Sequence, residues 1–131
     1  MKNIEKYKEN IPTELKLKDQ WLVFKKIPRH SSNGNLKISK ILYSAITLSA
    51  KEWNEKENIA DFGKALSVLV HHEFDGLAFV LTDDDPYICI DLDNCIDNGR
   101  LDLFAASIVK TFEGSYMELS CSKKGIHIFL K

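Results

Sequence analysis

No apolar run in this 131-residue chain approaches the roughly 20 residues that a membrane-spanning helix requires. The opening MKNIEKYKENIP contains no apolar signal-peptide core. Cysteine is scarce and odd in number. Cys89, Cys95 and Cys121 show no framework spacing, which argues against a disulfide-stapled secreted fold and for a reduced, cytoplasmic setting. Bulk positive charge is missing too: the net charge is −1, which excludes coating of DNA or an anionic membrane by charge alone. With only 3 prolines and 6 glycines, no segment is of low complexity, and no internal repeat is found. What remains is 44% hydrophobic and 28% charged residues, the balance of a folded domain long enough to bury a core. Residues 1–131 read as a single domain, an arm over 1–17 followed by a body over 18–131.

The near-neutral total hides an asymmetry. Residues 1–56 carry 12 Lys and Arg against 6 Asp and Glu, a net of +6, while residues 57–131 carry 6 against 13, a net of −7. Such blocks suit either a positive surface for a polyanion beside a cation-gathering site, or two solvated faces.

Along the chain, the charged start with Pro12 reads as a docking arm or frayed terminus. Trp21–Phe24 is a short buried strand. Ile27–Ser39, with Pro28 and Gly34, reads as a long loop, and Ile41–Tyr43 as a second short strand. Asp61 is placed to cap a helix over Phe62–His72, whose apolar residues recur at helical spacing. Leu77–Leu81 and Tyr87–Asp91, joined by Thr82–Pro86, predict a hairpin. A helix over Leu101–Phe112 with Leu103, Phe104, Ser107, Ile108 and Phe112 on its stripe follows, and then strands over Tyr116–Leu119 and Ile126–Leu130. The sum is an α+β fold: a sheet with helices on one face. The expected core is Trp21, Phe24, Phe62, Leu66, Leu69, Phe79, Val80, Ile88, Ile90, Phe104, Ile108 and Ile128.

Two stretches carry chemistry. In Tyr87–Asp93, strand alternation puts Asp91 and Asp93 on one face, about 7 Å apart along the strand. Two carboxylates so placed repel unless a cation joins them, and oxygen ligands suit Mg²⁺ or Mn²⁺. The same spacing also fits two aspartates that end a buried strand and face water. In Glu118–His127, the polar turn Ser120, Cys121, Ser122, Lys123, Lys124, Gly125 offers hydroxyl, backbone and lysine donors for phosphate, with His127 on the strand after it. A plain polar turn before a half-buried histidine gives the same letters. Walker, EF-hand and zinc-site spacings are all absent from the sequence. A Cys121–His127 nucleophile lacks a marked third group to orient it.

Together these pieces resemble the catalytic core of phage and plasmid primase-polymerases of the archaeo-eukaryotic primase superfamily. The matching residues are Trp21, Gly76, Asp91, Asp93, Tyr116, Glu118, Ser120, Ser122, Gly125, Ile126 and His127, in order over residues 11–130. The resemblance implies a primase-polymerase-like, RRM-like antiparallel or mixed sheet with helices on one face. It implies that Asp91 and Asp93 hold the catalytic metals, Mg²⁺ or Mn²⁺. His127, with Ser120, Ser122, Lys124 and Gly125, would hold the phosphates of a nucleoside triphosphate. Lys25, Lys26, Arg29, Lys37 and Lys40 of the basic half would steer a DNA template. Two departures are visible. Cys121 and Lys123 stand where the family has proline and glycine, and the family's third metal carboxylate, expected on a strand beyond the histidine, has no counterpart before Lys131. The expectation is therefore a truncated primase-polymerase-like domain of a phage or mobile element that binds nucleotide, metal or DNA rather than turning over alone. The rest of a primase or helicase would be a natural partner. The alternative is a non-catalytic binding or inhibitor protein that reuses the fold against a target protein, its acidic half mimicking nucleic acid.

Overall fold

A computed structural model describes residues 2–131. The protein is α+β, with four α-helices, eight β-strands and a short 3-10 turn among the described residues. It divides into two compact units, one ending at Val80 and the other spanning Leu81–Lys131. Every strand pairing is antiparallel.

The first unit opens with α1 (Glu5–Asn10) and α2 (Thr13–Lys16). The expected frayed arm is thus ordered: Ile11 and Leu15 are buried, and the Leu15 carbonyl accepts from Trp21 Nε1 at 3.1 Å. Lys2 Nζ donates to the carbonyls of Leu69 and His72, at the C-terminal end of the third helix, where a cation and a donor are both favourable. Strand β1 (Trp21–His30) pairs on one side with β2 (Leu36–Tyr43) and, over Trp21–Phe24, on the other with β3 (Gly76–Phe79). The loop expected over Ile27–Ser39 is therefore mostly strand. Its two arms satisfy each other's backbone groups while their side chains stay largely exposed, so no hydrophobic alternation marked them.

Helix α3 (Phe62–His71) carries the expected cap, with Asp61 Oδ1 accepting from Lys64 N at 2.8 Å. It buries Ala65, Leu66, Val68 and Leu69. Trp21 lies edge-on to both Phe62 and Phe79, and the Phe24 ring lies so close to Gly76 that a Cβ there would stand 2.6 Å from it. Ser44 is fully buried yet satisfied: its Oγ donates to Asn58 O and accepts from Ile46 N and Thr47 N.

In the second unit, β4 (Ile88–Leu92), β7 (Tyr116–Leu119) and β8 (Ile126–Leu130) form a sheet in the order β4-β8-β7. The hairpin expected between residues 77 and 91 does not form, because β3 pairs with β1 and β4 pairs with β8. A two-stranded ladder, β5 (Ile96–Asp97) and β6 (Arg100–Leu101), precedes α4 (Leu103–Thr111), which Asp102 caps through Ala105 N at 2.7 Å. The buried centre is Cys95, Ala105, Ile126 and Ile128, with Ile90, Leu92, Ile108, Val109 and Phe112 packed on it. The apolar stripe of this segment thus keeps the expected Ile108 and Phe112 but takes Ala105 and Val109 in place of Leu103, Phe104 and Ser107. Phe104, at 69% exposure, is outside the core, as is Ile88 at 61% at the open end of its strand.

Candidate functional site

The site follows from strand register. Ile90, Leu92, Met117, Ile126 and Ile128 point to the core face of the β4-β8-β7 sheet. Their neighbours by alternation, Cys89, Asp91, Tyr116, Glu118, His127 and Phe129, share the opposite face. His127 sits on the central strand with Asp91 directly across on β4 and Glu118 directly across on β7. Its Nδ1 is 3.1 Å from Glu118 Oε1 and its Nε2 is 3.5 Å from Asp91 Oδ1. The Tyr116 hydroxyl donates to the other Glu118 oxygen at 2.9 Å. Asp91 and His127 therefore share one face of the sheet, whereas Asp93 lies beyond the paired part of β4.

Carboxylates only accept, so His127 engages both neighbours at once only as the doubly protonated imidazolium, with an N–H toward each. The Nδ1 contact is a hydrogen bond by distance. The Nε2 contact with Asp91 is longer. The same carboxylates act on their neighbours. Burial, then Asp91, then Glu118 push the Cys89 thiol up from its ordinary value, and burial followed by Glu118 pushes the Tyr116 phenol up strongly.

Asp93 lies one residue beyond β4 and is exposed. The β4 end runs beside the polar turn, since a Cβ on Gly125 would stand 2.6 Å from Leu92 O. Within the turn, Ser120 Oγ accepts from Gly125 N at 3.0 Å and is 3.0 Å from Ser122 Oγ, which accepts from Lys124 N at 3.2 Å. The Lys124 carbonyl accepts from Cys95 N and Ile96 N. Lys123 takes φ 61°, the left-handed conformation glycine adopts without strain, so the turn keeps that geometry with lysine in place. Asp91, His127 and the Ser120–Gly125 turn thus all belong to one sheet.

Among the described residues, no group of three or more His, Cys, Asp or Glu side chains is arranged to hold a metal ion. The hard oxygens of Asp91 and Asp93 suit Mg²⁺ or Mn²⁺, which commonly takes one or two carboxylates and completes its shell with water and substrate phosphates.

The five basic candidates lie in the first unit, split between the faces of the β1–β2 pair. Lys26 and Lys40 are opposite one another on one face, while Lys25, Arg29 and Lys37 share the other. Lys25 Nζ lies 5.3 Å from the Tyr43 ring centroid and 5.0 Å from that of Phe74, and Lys40 Nζ lies 4.3 Å from Phe24. A hollow beside the β5–β6 ladder, lined by Asn94, Asp97, Asn98 and Arg100 among others, contains none of the expected site residues.

Sequence reasoning quoted Glu118 and Tyr116 without giving them a task. Their i,i+2 spacing on a strand facing His127 across a hairpin was the available signal. No helix among the described residues is long and apolar enough to cross a membrane.

No protein-family model matches the chain. Over 116 residues, 83% of this chain, the sequence is 33% identical to the DNA primase-polymerase of Nitratiruptor phage NrS-1. The chain is related to a phage primase-polymerase, and it spans 14% of the length of that relative.

Proposed function

We propose that the β4-β8-β7 sheet binds the phosphates of a nucleoside triphosphate together with one divalent cation, as part of primase-polymerase-type chemistry in DNA replication. The observation that carries this reading is His127 bracketed by Asp91 and Glu118, in a chain 33% identical over most of its length to a phage primase-polymerase. Glu118, itself held by Tyr116, orients the imidazole through Nδ1. In the proposed complex the Nε2 N–H, which faces Asp91 Oδ1 at 3.5 Å, would donate to a phosphate oxygen, a charge-assisted bond. Lys124 adds positive charge beside the turn, and Ser120 and Ser122 fix its shape. Asp91 and Asp93 would hold Mg²⁺ or Mn²⁺, whose contribution when bound is to neutralise phosphate charge.

Two-metal nucleotidyl transfer requires enough carboxylates to hold two ions roughly 3.5–4 Å apart. The reading proposed for this sheet is binding of nucleotide with one cation. Four carboxylates of the acidic half serve local structure: Asp61 and Asp102 cap helices, Asp75 accepts from Lys26 N and Asp85 from Thr82 N.

Isothermal titration of the protein with ATP in Mn²⁺ tests the proposal. The expected outcome is binding that weakens roughly 10- to 100-fold in His127→Ala, the worth of a charged hydrogen bond of about 1.5–3 kcal/mol, and that loses its Mn²⁺ dependence in Asp91→Ala. Absence of heat with both ligands, or a His127→Ala variant that binds like the parent, refutes it.

A further inference from the structure

Beyond the phosphate site, we infer that the free edge of β2 takes up an extended acidic segment of a partner protein as an added antiparallel strand. β3 accompanies β1 only as far as Phe24, so residues 25–30 and 36–41 continue as a two-stranded ribbon. β2 lies at the edge of its sheet, and no described strand pairs with its outer side. Parity identifies the groups left over. Phe24 O accepts from Asp75 N and Lys26 N donates to Asp75 Oδ2, so the even-numbered residues of β1 turn their backbone toward the β3 side. Residues 25, 27 and 29 therefore face β2 and engage Ile41, Ser39 and Lys37. Leu36, Ile38 and Lys40 turn both N–H and C=O outward. The other edge of the ribbon, along β1, is guarded: Asp75 occupies the Lys26 N–H, and Pro28 has none to offer. β2 contains neither proline nor a carboxylate. A strand added there gains main-chain hydrogen bonds from the outward groups and selectivity from alternate side chains.

Those side chains select the partner's chemistry. Leu36 and Ile38 share a face and are 61% and 54% exposed, with the exposed Pro28 directly across from Ile38. Lys40 follows on that face, and Lys37 projects from the other. Residues 25–41 hold Lys25, Lys26, Arg29, Lys37 and Lys40, and not one Asp or Glu. The matching strand has apolar residues opposite Leu36 and Ile38 and carboxylates opposite Lys37 and Lys40. Read antiparallel, its order is acidic, any, apolar, acidic, apolar. A second copy of β2 adds further lysines and no carboxylate to the ladder, which charge repulsion disfavours. A phosphate backbone has no donors for the outward carbonyls and gains nothing from Leu36 and Ile38.

The test is fluorescence anisotropy with the labelled peptide GSETVEVSG, whose ETVEV core has that order. Nucleotide and divalent ions are left out, so the outcome is independent of the phosphate site. The protein is expected to bind this peptide, and to bind GSQTVQVSG about 3- to 10-fold more weakly. Ile38→Pro removes an outward N–H without touching the β1–β2 ladder, and should weaken binding about tenfold. Lys37→Glu, at an exposed position where circular dichroism is expected to match the parent, should weaken it about as much and regain affinity with GSETVKVSG. N-methylation of the first valine, whose N–H faces Ile38 O, should abolish binding. N-methylation of the second glutamate, whose N–H points away from β2, should be tolerated. Four results overturn the proposal: no anisotropy change, equal effects of the two N-methyl groups, displacement of the peptide by a short DNA strand at lower concentration than by unlabelled peptide, or a peptide-free dimer in light scattering that Ile38→Pro dissociates.

Discussion

Replacing Gly125 with alanine probes how closely the polar turn is fitted to the end of β4. The added Cβ would stand 2.6 Å from the Leu92 carbonyl oxygen and 3.2 Å from Ser120 Oγ. Neither neighbour is a flexible tip. Leu92 is the last residue of β4, and Ser120 Oγ is held by Gly125 N, while Ser120 N donates to Gly125 O at 2.9 Å. Relief therefore requires backbone movement, and overpacking of this kind costs about 1–3 kcal/mol. The restricted unfolded chain of an alanine variant returns about 0.4–1 kcal/mol. The expected net loss is about 1–2 kcal/mol. Both tryptophans, Trp21 and Trp53, lie in the first unit and all three cysteines in the second, so the suitable reporter is Cys95, which is 5% exposed and bonded through its N–H to Lys124 O. Alkylation of Cys95, followed by peptide mass spectrometry under conditions where labelling waits on opening, should accelerate about 5- to 30-fold in Gly125→Ala. A Cys95 rate within about twofold of the parent would refute the claim that the turn is packed against Leu92.

Lys123→Gly should stabilise the second unit by about 0.5–1 kcal/mol, the relief of a left-handed lysine less the entropy glycine restores to the unfolded chain; faster Cys95 labelling than in the parent contradicts it. The Cys89 thiol, pushed up by burial, then by Asp91 and Glu118, should reach half-maximal alkylation at higher pH in the folded protein than in urea, and Asp91→Asn should lower that midpoint. Because the folded value is the raised one, the associated stability is intact below the ordinary thiol value and is lost as pH climbs through the folded value. A midpoint unaffected by Asp91→Asn would detach Cys89 from the site.

Local pattern determined a good part of this protein. Asp61 before Phe62 and Asp102 before Leu103 are caps written in single residues. The spans of β7 and β8 match the apolar runs at 116–119 and 126–130, and the alternation of Tyr87–Asp91 placed Asp91 away from Ile90. These features depend on neighbours within a few residues, which is why they were legible. Partner choice was not. Leu77–Leu81 and Tyr87–Asp91 are joined by turn chemistry, yet β3 and β4 belong to different sheets, because each pairs with a strand far away in sequence and only the folded chain brings those partners into reach. The ribbon at 25–41 escaped notice because its strands satisfy each other's backbone without burying a face. The α4 stripe was legible at Ile108 and Phe112 but not at its start, because Leu103 and Phe104, apolar by type, lie outside the packed surface that Ala105 occupies. The site divides in the same way. Asp91 and His127 stood out as chemistry-bearing letters, but only the register Asp91–His127–Glu118 across three strands decided that one imidazole is held between two carboxylates. Side-chain parity is a local property of the chain, whereas cross-strand register is set by the long-range packing of the sheet on its helix.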